Sequence, residues 1–93
     1  MIREVVDTPR YRSQYKKFVR SHPFLKDRIR ETLRKMREDV FAPELRTHRL
    51  SGKMYGLFAC SCGYDCRIVF TFETVGVVET IILDSIGTHK QVY

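Results

Sequence analysis

Nothing in this chain is both long and uncharged. The longest stretch without Asp, Glu, Lys or Arg, Met54 to Tyr64, has 11 residues and includes Gly, Ser and Cys. A membrane span needs about 20 apolar residues, so no transmembrane helix is expected. The first residues, Met1-Ile2-Arg3-Glu4-Val5, carry a negative charge inside a short apolar patch and lack the apolar run of an export signal, which makes a cytoplasmic protein the expectation. Also missing are G-x-x-x-x-G-K-[ST], G-x-G-x-x-G and G-x-S-x-G, which removes the nucleotide-binding and serine-hydrolase signatures. Repeats and low-complexity tracts are absent as well.

Cysteine is scarce and odd in number, three residues confined to Cys60-Ser61-Cys62-Gly63-Tyr64-Asp65-Cys66. Two readings of this run, a C-x-C-x3-C zinc site and a redox pair, both have weak signals: structural zinc takes four ligands at C-x2-4-C spacings, and Cys60 and Cys62 are poor co-ligands unless the loop bends them together. An odd count argues against a full disulfide framework, and in a reducing compartment three free thiols are expected, with Cys60 and Cys66 packing as small apolar groups near the base of a hairpin. No metal and no cofactor is assigned. Histidine is equally scarce, with three residues, His22, His48 and His89.

What is present is positive charge. Against 11 acidic residues stand 17 basic ones, a net charge of +6 over 93 residues. Residues 1–53 hold 15 basic and 7 acidic side chains, a net of +8, whereas residues 54–93 hold 2 and 4, a net of −2. Such a field attracts polyanions without specifying them, so RNA, DNA, an acidic protein and anionic lipid all qualify, as does a merely solvated helical surface. A chain of this length holds one domain, residues 1–93, with a thin interior.

Periodicity orders the elements. Ile2 to Val6 is a short β-branched strand, and Thr8-Pro9 is a helix start, a capping hydroxyl followed by proline at the first helical position. Tyr11, Tyr15, Phe18 and Val19 form one apolar stripe on a helix ending near Ser21. After Pro23 a second stripe, Leu25, Ile29, Leu33, Met36 and Val40, predicts a helix to about Asp39. Residues 42–53 read as a connecting loop. The period then drops to two: Met54 to Cys60, Arg67 to Phe72 and Val77 to Leu83 are strands, joined by a hairpin loop at residues 61–65 and a turn at residues 73–76. The third of them is apolar on both faces, as an inner strand covered by helices is. The predicted class is α+β: a short N-terminal strand, a helical hairpin, then an antiparallel three-stranded meander.

His22 precedes Pro23 and is explained by its place at a helix end. His48, before the meander, and His89, just past it, are positioned to converge at one edge of the sheet. Asp65 in the hairpin loop, Arg67 inside the next strand and Tyr93 at the terminus complete an inventory suited to cutting RNA without a metal. Imidazole titrates near neutrality and serves as base or acid, and the ribose 2′-OH is a nucleophile that the substrate brings with it. A cation would stabilise the phosphoryl oxygens, and the products would be a 2′,3′-cyclic phosphate and a 5′-hydroxyl. Arg49 and Lys53 add candidate phosphate contacts beside Arg67.

Along nearly its whole length the chain resembles the RelE/ParE superfamily of toxins from bacterial and archaeal toxin–antitoxin pairs, and within it the YafQ-like branch. The residues that carry this are Thr47-His48-Arg49-Leu50-Ser51-Gly52, Tyr55-Gly56, Tyr64-Asp65-Cys66-Arg67-Ile68-Val69-Phe70 and Ile86-Gly87-Thr88-His89-Lys90-Gln91-Val92-Tyr93. The resemblance implies a nuclease site at His48, Asp65, His89 and Tyr93, cleavage of mRNA on the ribosome, and a neutralising antitoxin encoded beside the toxin. Two positions depart from the branch, which has a histidine where Ser61 stands and a tryptophan where Cys66 stands. A rival reading on the same scaffold is a non-catalytic, ParE-like toxin that binds a protein target such as DNA gyrase.

Overall fold

The computed structural model describes residues 2–93. Strand β1, Ile2–Asp7, leads directly into helix α1, Pro9–Ser21. Thr8 does two jobs at the junction: its hydroxyl oxygen accepts the Tyr11 amide at 3.1 Å and its hydroxyl donates to the Leu83 carbonyl at 2.8 Å, so the cap also ties the helix to the sheet. His22 and Pro23 stop α1, and a single 3₁₀ turn leads into α2, Lys26–Glu38. Along α2 the exposed charges are largely paired, Arg30 with Asp27, Lys35 with Glu44, and Arg34 with both Glu31 and Glu38.

After a 3₁₀ turn at Pro43–Leu45 come β2, His48–Arg49, then β3, Phe58–Ser61, β4, Arg67–Val75, and β5, Val78–Gly87, followed by the one-turn helix α3, His89–Val92. The strands form one sheet in the order β1-β5-β4-β3-β2. β1 runs parallel to β5 and the remaining pairs are antiparallel. A parallel neighbour requires a crossover, and α1 and α2 supply part of it. Between Val69 and Phe70 the pairing slips, leaving Asp84 of β5 without a partner.

One face of the sheet carries the main core. Tyr11 and Phe18 of α1, Ile29 and Met36 of α2, and Ile68, Phe70 and Ile81 of the sheet pack there, each at most 5% exposed. Every such side chain contributes on the order of 1.5–3 kcal/mol by leaving water. The other face is thin: Ala59 and Val69 are covered by Val92 of α3 and by Leu50, Met54 and Leu57 from the loop before β3.

The expected architecture is present, with β5 in the predicted inner position, and three expectations need correction. The strand expected to begin at Met54 begins at Phe58, because Gly52 and Gly56 adopt left-handed backbone conformations that turn residues 52–57 instead of extending them. His48 and Arg49, placed in a loop, form the edge strand β2. The turn expected over residues 73–76 is only two residues, Gly76 and Val77, with Gly76 at φ +61, so β4 and β5 are longer than their apolar cores indicate. The tail forms α3, held by a reciprocal capping box in which the Gln91 amide donates to the Thr88 hydroxyl and the Thr88 amide donates to Gln91 Oε1. Among the described residues no helix is long and apolar enough to cross a membrane.

Candidate active site

The turn between β3 and β4 is closed by a covalent bond. Cys62 and Cys66 form a disulfide with their Cα atoms 5.0 Å apart, reinforced by the Cys62 amide donating to the Cys66 carbonyl at 2.9 Å. The expectation of three free thiols is therefore corrected. The reason is local: Gly63 at φ +119 and Asp65 at φ +50 fold the chain back on itself, bringing together two cysteines that a straight strand would carry far apart. Gly63 is needed for a second reason, since a Cβ there would lie 3.2 Å from Leu25 Cδ2 and 3.3 Å from Arg28 Cγ. Only Cys60 remains free. It is buried beside Met36, and burial pushes its thiol pKa up to about 12, against the opposing influence of Arg67. With two thiols bonded to each other, a three-cysteine zinc set does not exist, and among the described residues no group of three or more His, Cys, Asp or Glu is arranged to hold a metal.

The disulfide-closed turn presents Asp65, whose Oδ1 accepts the backbone N–H of His89 at 3.1 Å. This bond links the hairpin tip to the first turn of α3, where amide protons lack partners inside the helix. Within α3 the rings of His89 and Tyr93 meet edge to face, 4.6 Å between centroids at 82°. Burial raises the Tyr93 hydroxyl pKa, while the nearby Arg67 charge works in the opposite direction. Arg67 sits across from Ser61 on β3 and Gly87 on β5 and donates from Nη1 to the Cys66 carbonyl at 3.0 Å. A Cβ at Gly87 would come within 2.7 Å of Gln91 Oε1, so a side chain there would displace the group that closes the α3 capping box. Asp65, Arg67, His89 and Tyr93 are thus one cluster, contributed by a turn, the start of β4 and α3.

His48 and His89 do not converge at one edge of the sheet as expected: β5, which leads into His89, is an inner strand, and His48 reaches the same face from the far edge strand β2. Its Cα partner is Ala59, which pairs in turn with Val69, and both are packed under Val92 of α3. Side chains directly opposite each other in a ladder share a face, so His48 lies on the α3 side with a small apolar saddle between it and the cluster. Its Nδ1 is 3.0 Å from the Arg46 carbonyl. A carbonyl only accepts, so Nδ1 carries a proton and Nε2 of the neutral ring is open as an acceptor. Arg49, one residue on, points to the opposite face, where its guanidinium lies 5.8 Å from the Phe58 ring centroid, so it does not join Arg67 as the expected phosphate contact. Lys53 is exposed in the 3₁₀ turn Gly52–Met54, and His22 stacks on Phe18.

One residue of this region was not singled out by sequence. Arg46 lines an open cleft of about 450 Å³ together with Ser61, Gly63, Tyr64, Asp65 and Arg67. It is a single arginine in a polar loop, and no spacing or motif marks it; only its left-handed φ of +53 after Leu45 aims it back at the β3–β4 turn.

No family model and no curated protein matches the chain. Solved structures do. The YoeB/ParE toxin from Agrobacterium tumefaciens superimposes with a TM-score of 0.77 at 19% identity, covering 92% of this chain and 98% of that one. YafQ from E. coli strain BL21(DE3) gives 0.77 at 9% identity with 98% of each chain covered, and a chain of the E. coli DinJ-YafQ toxin-antitoxin complex gives 0.76 at 12% identity with 100% and 99% covered. At these identities the likeness is one of fold. The chain has the α+β fold of the YoeB/ParE and YafQ toxins, in agreement with the RelE/ParE resemblance read from its motifs.

Proposed function

We propose that the chain is the toxin of a type II toxin–antitoxin pair and acts as a metal-independent endoribonuclease on mRNA held in the ribosome. The observation that carries this reading is the cluster in which Asp65 pins the amide of His89, His89 meets Tyr93 and Arg67 stands alongside, with His48 on the same sheet face. In the proposed reaction Nε2 of His48 takes the ribose 2′-OH proton and the 2′-oxygen attacks the adjacent phosphorus. Arg67 stabilises the charge that develops on the phosphoryl oxygens, and His89 protonates the departing 5′-oxygen. Bond making and breaking balance as a 2′,3′-cyclic phosphate and a 5′-hydroxyl. Tyr93 holds the His89 ring, and Asp65 fixes the helix that carries both. The Ala59–Val69–Val92 saddle separates His48 from the cluster, which suits a substrate whose bend at the scissile phosphate is imposed by the ribosome.

The partner in this reading is an antitoxin with an amphipathic, acidic segment. A groove of about 450 Å³ between α1 and α2 suits such a segment, with Val5, Tyr15, Ile29 and Leu33 along its floor and, at its rim, Arg37 together with Arg12 and Arg30, whose pairings with Asp7 and Asp27 are solvent-exposed.

Mapping transcript ends after induction tests the proposal. Cyclic-phosphate ends are expected with the wild type. His48→Ala and His89→Ala should each slow cleavage by about 10²–10⁴-fold and relieve growth arrest while leaving the folded protein intact. Intact transcripts accompanied by a DNA-damage response would favour the gyrase-binding alternative, and 3′-hydroxyl ends would point to metal-dependent chemistry.

A further inference from the structure

The cleft beside the cluster carries two side chains that the proposed chemistry does not use. Arg46 and Tyr64 line it with Asp65 and Arg67. Tyr64 is 93% exposed, an aromatic ring in water with no packing role. Among the described residues, Arg46 and Asp65 are the two non-glycine residues with positive φ, +53 and +50, and both line this one cleft. Non-glycine residues held in that conformation carry strain, and they concentrate where a side chain must be aimed.

Each wall of the cleft is also bonded to a member of the candidate site. The Arg46 carbonyl accepts from His48 Nδ1, and the Asp65 carboxylate accepts from the His89 amide. The carboxylate that could repel an anion is thus already engaged on one oxygen, and two guanidiniums outweigh it. An exposed ring in one cleft with cations is the combination with which proteins hold single-stranded nucleic acid, base on the ring and phosphate on the cation.

The geometry points to a nucleotide subsite: the cleft holds the ribonucleotide that flanks the cut, Tyr64 stacking its base and Arg46 binding its phosphate. This rests on the ribonuclease reading and adds to it the substrate contact that sets the register of the strand. Because a π-face is common to all four bases, the subsite grips without selecting sequence.

The test separates binding from cutting by using a short 2′-O-methyl oligoribonucleotide, which has no free 2′-OH and cannot be cleaved. The chain has no tryptophan, so Tyr64→Trp supplies a unique fluorophore whose emission is quenched when a base stacks on it. Quenching by the base-bearing oligonucleotide and not by an abasic one of equal charge is expected. In the wild-type background Tyr64→Ala should weaken binding about tenfold, and Tyr64→Phe should stay within about twofold. Arg46→Ala should weaken binding and lower the slope of log affinity against log salt by about 1. Tyr55→Ala, at a tyrosine equally exposed but outside the cleft, should leave affinity unchanged. Wild-type affinity in Tyr64→Ala and Arg46→Ala, or equal quenching by the abasic strand, would overturn the subsite. If the nuclease reading alone is wrong, ribosomal cleavage is absent while the stacking and salt signatures remain.

Discussion

The two faces of the sheet are built to different standards. Toward α1 and α2, Met36, Cys60, Ile68, Phe70 and Ile81 are wholly excluded from water. On the opposite face Ala59 and Val69 are covered by the single turn of α3 and one loop, and the residues with chemical potential stand around that thin cover. The contrast separates tasks. The thick face supplies the free energy of folding, and the thin face can leave His48, Asp65 and His89 exposed because little of the core depends on them. Charge divides differently, since the basic helices cover the thick face while the proposed chemistry comes almost entirely from the second half of the sequence.

Phe70→Ala probes the thick face. The side chain is fully buried between the sheet and the helices, and its loss should cost about 3–5 kcal/mol. A chain of this size has little more than that to lose. Denaturant titration should show a large drop in midpoint or no cooperative transition at all; a shift below 1 kcal/mol would mean that the two faces are not as unequal as their burial indicates.

How far the molecule was legible follows the same division. The helices of the thick face announce themselves through long apolar stripes, Tyr11 to Val19 and Leu25 to Met36, because a periodic pattern records burial on one side. Elements of the thin face are too short for a period. β2 has two residues, and its membership in the sheet is decided by hydrogen bonding to Phe58 and Ala59, not by its own side chains. Met54 and Leu57 look like strand residues because they are apolar, yet they are apolar as part of the loop that covers Ala59 and Val69. Thr88-x-x-Gln91 has the spacing of a capping box, but a single turn offers no apolar period to mark it as a helix. Within the candidate site, His48, Asp65, Arg67, His89 and Tyr93 were identifiable as residue types. Their pairing through the Asp65–His89 bond depends on the disulfide-closed turn, and alternating strand geometry gave no hint of that turn.

That disulfide joins the two faces, since its cysteines belong to the thick core while the turn it closes holds α3 on the thin side. Reduction, or the double change Cys62→Ala and Cys66→Ala, should lower stability by about 2 kcal/mol for a loop this short. The His89 amide should lose protection from hydrogen exchange as Asp65 releases it. Denaturant midpoints of oxidised and reduced protein measure the first effect and residue-resolved exchange the second. An unchanged midpoint with a still-protected His89 amide would show that backbone hydrogen bonds alone hold the turn.

The smallest change compares two threonine caps that share one hydrogen bond and differ in the second, Thr8 also donating to the Leu83 carbonyl and Thr88 standing in a reciprocal box with Gln91. Thr8 caps α1 on the thick face and Thr88 caps α3 on the thin one, each through a hydroxyl that accepts an amide three residues on. Losing the cap bond should cost about 1 kcal/mol in either alanine variant, and Thr8→Ala also removes the bond to the Leu83 carbonyl. For α1 that cost falls on a helix anchored by Tyr11 and Phe18, so Thr8→Ala should lower the melting temperature and leave cleavage by the folded protein unchanged. α3 has four residues and no independent stability. Thr88→Ala should therefore be spent on undocking α3, lowering cleavage about fivefold through misplacement of His89 and Tyr93 with a smaller effect on the melting temperature. Thr88→Ser should restore it. If the two alanine variants lose stability and activity in the same proportion, α3 is part of the same cooperative unit as the helices, and the thin face is not the independently mobile layer that its sparse packing implies.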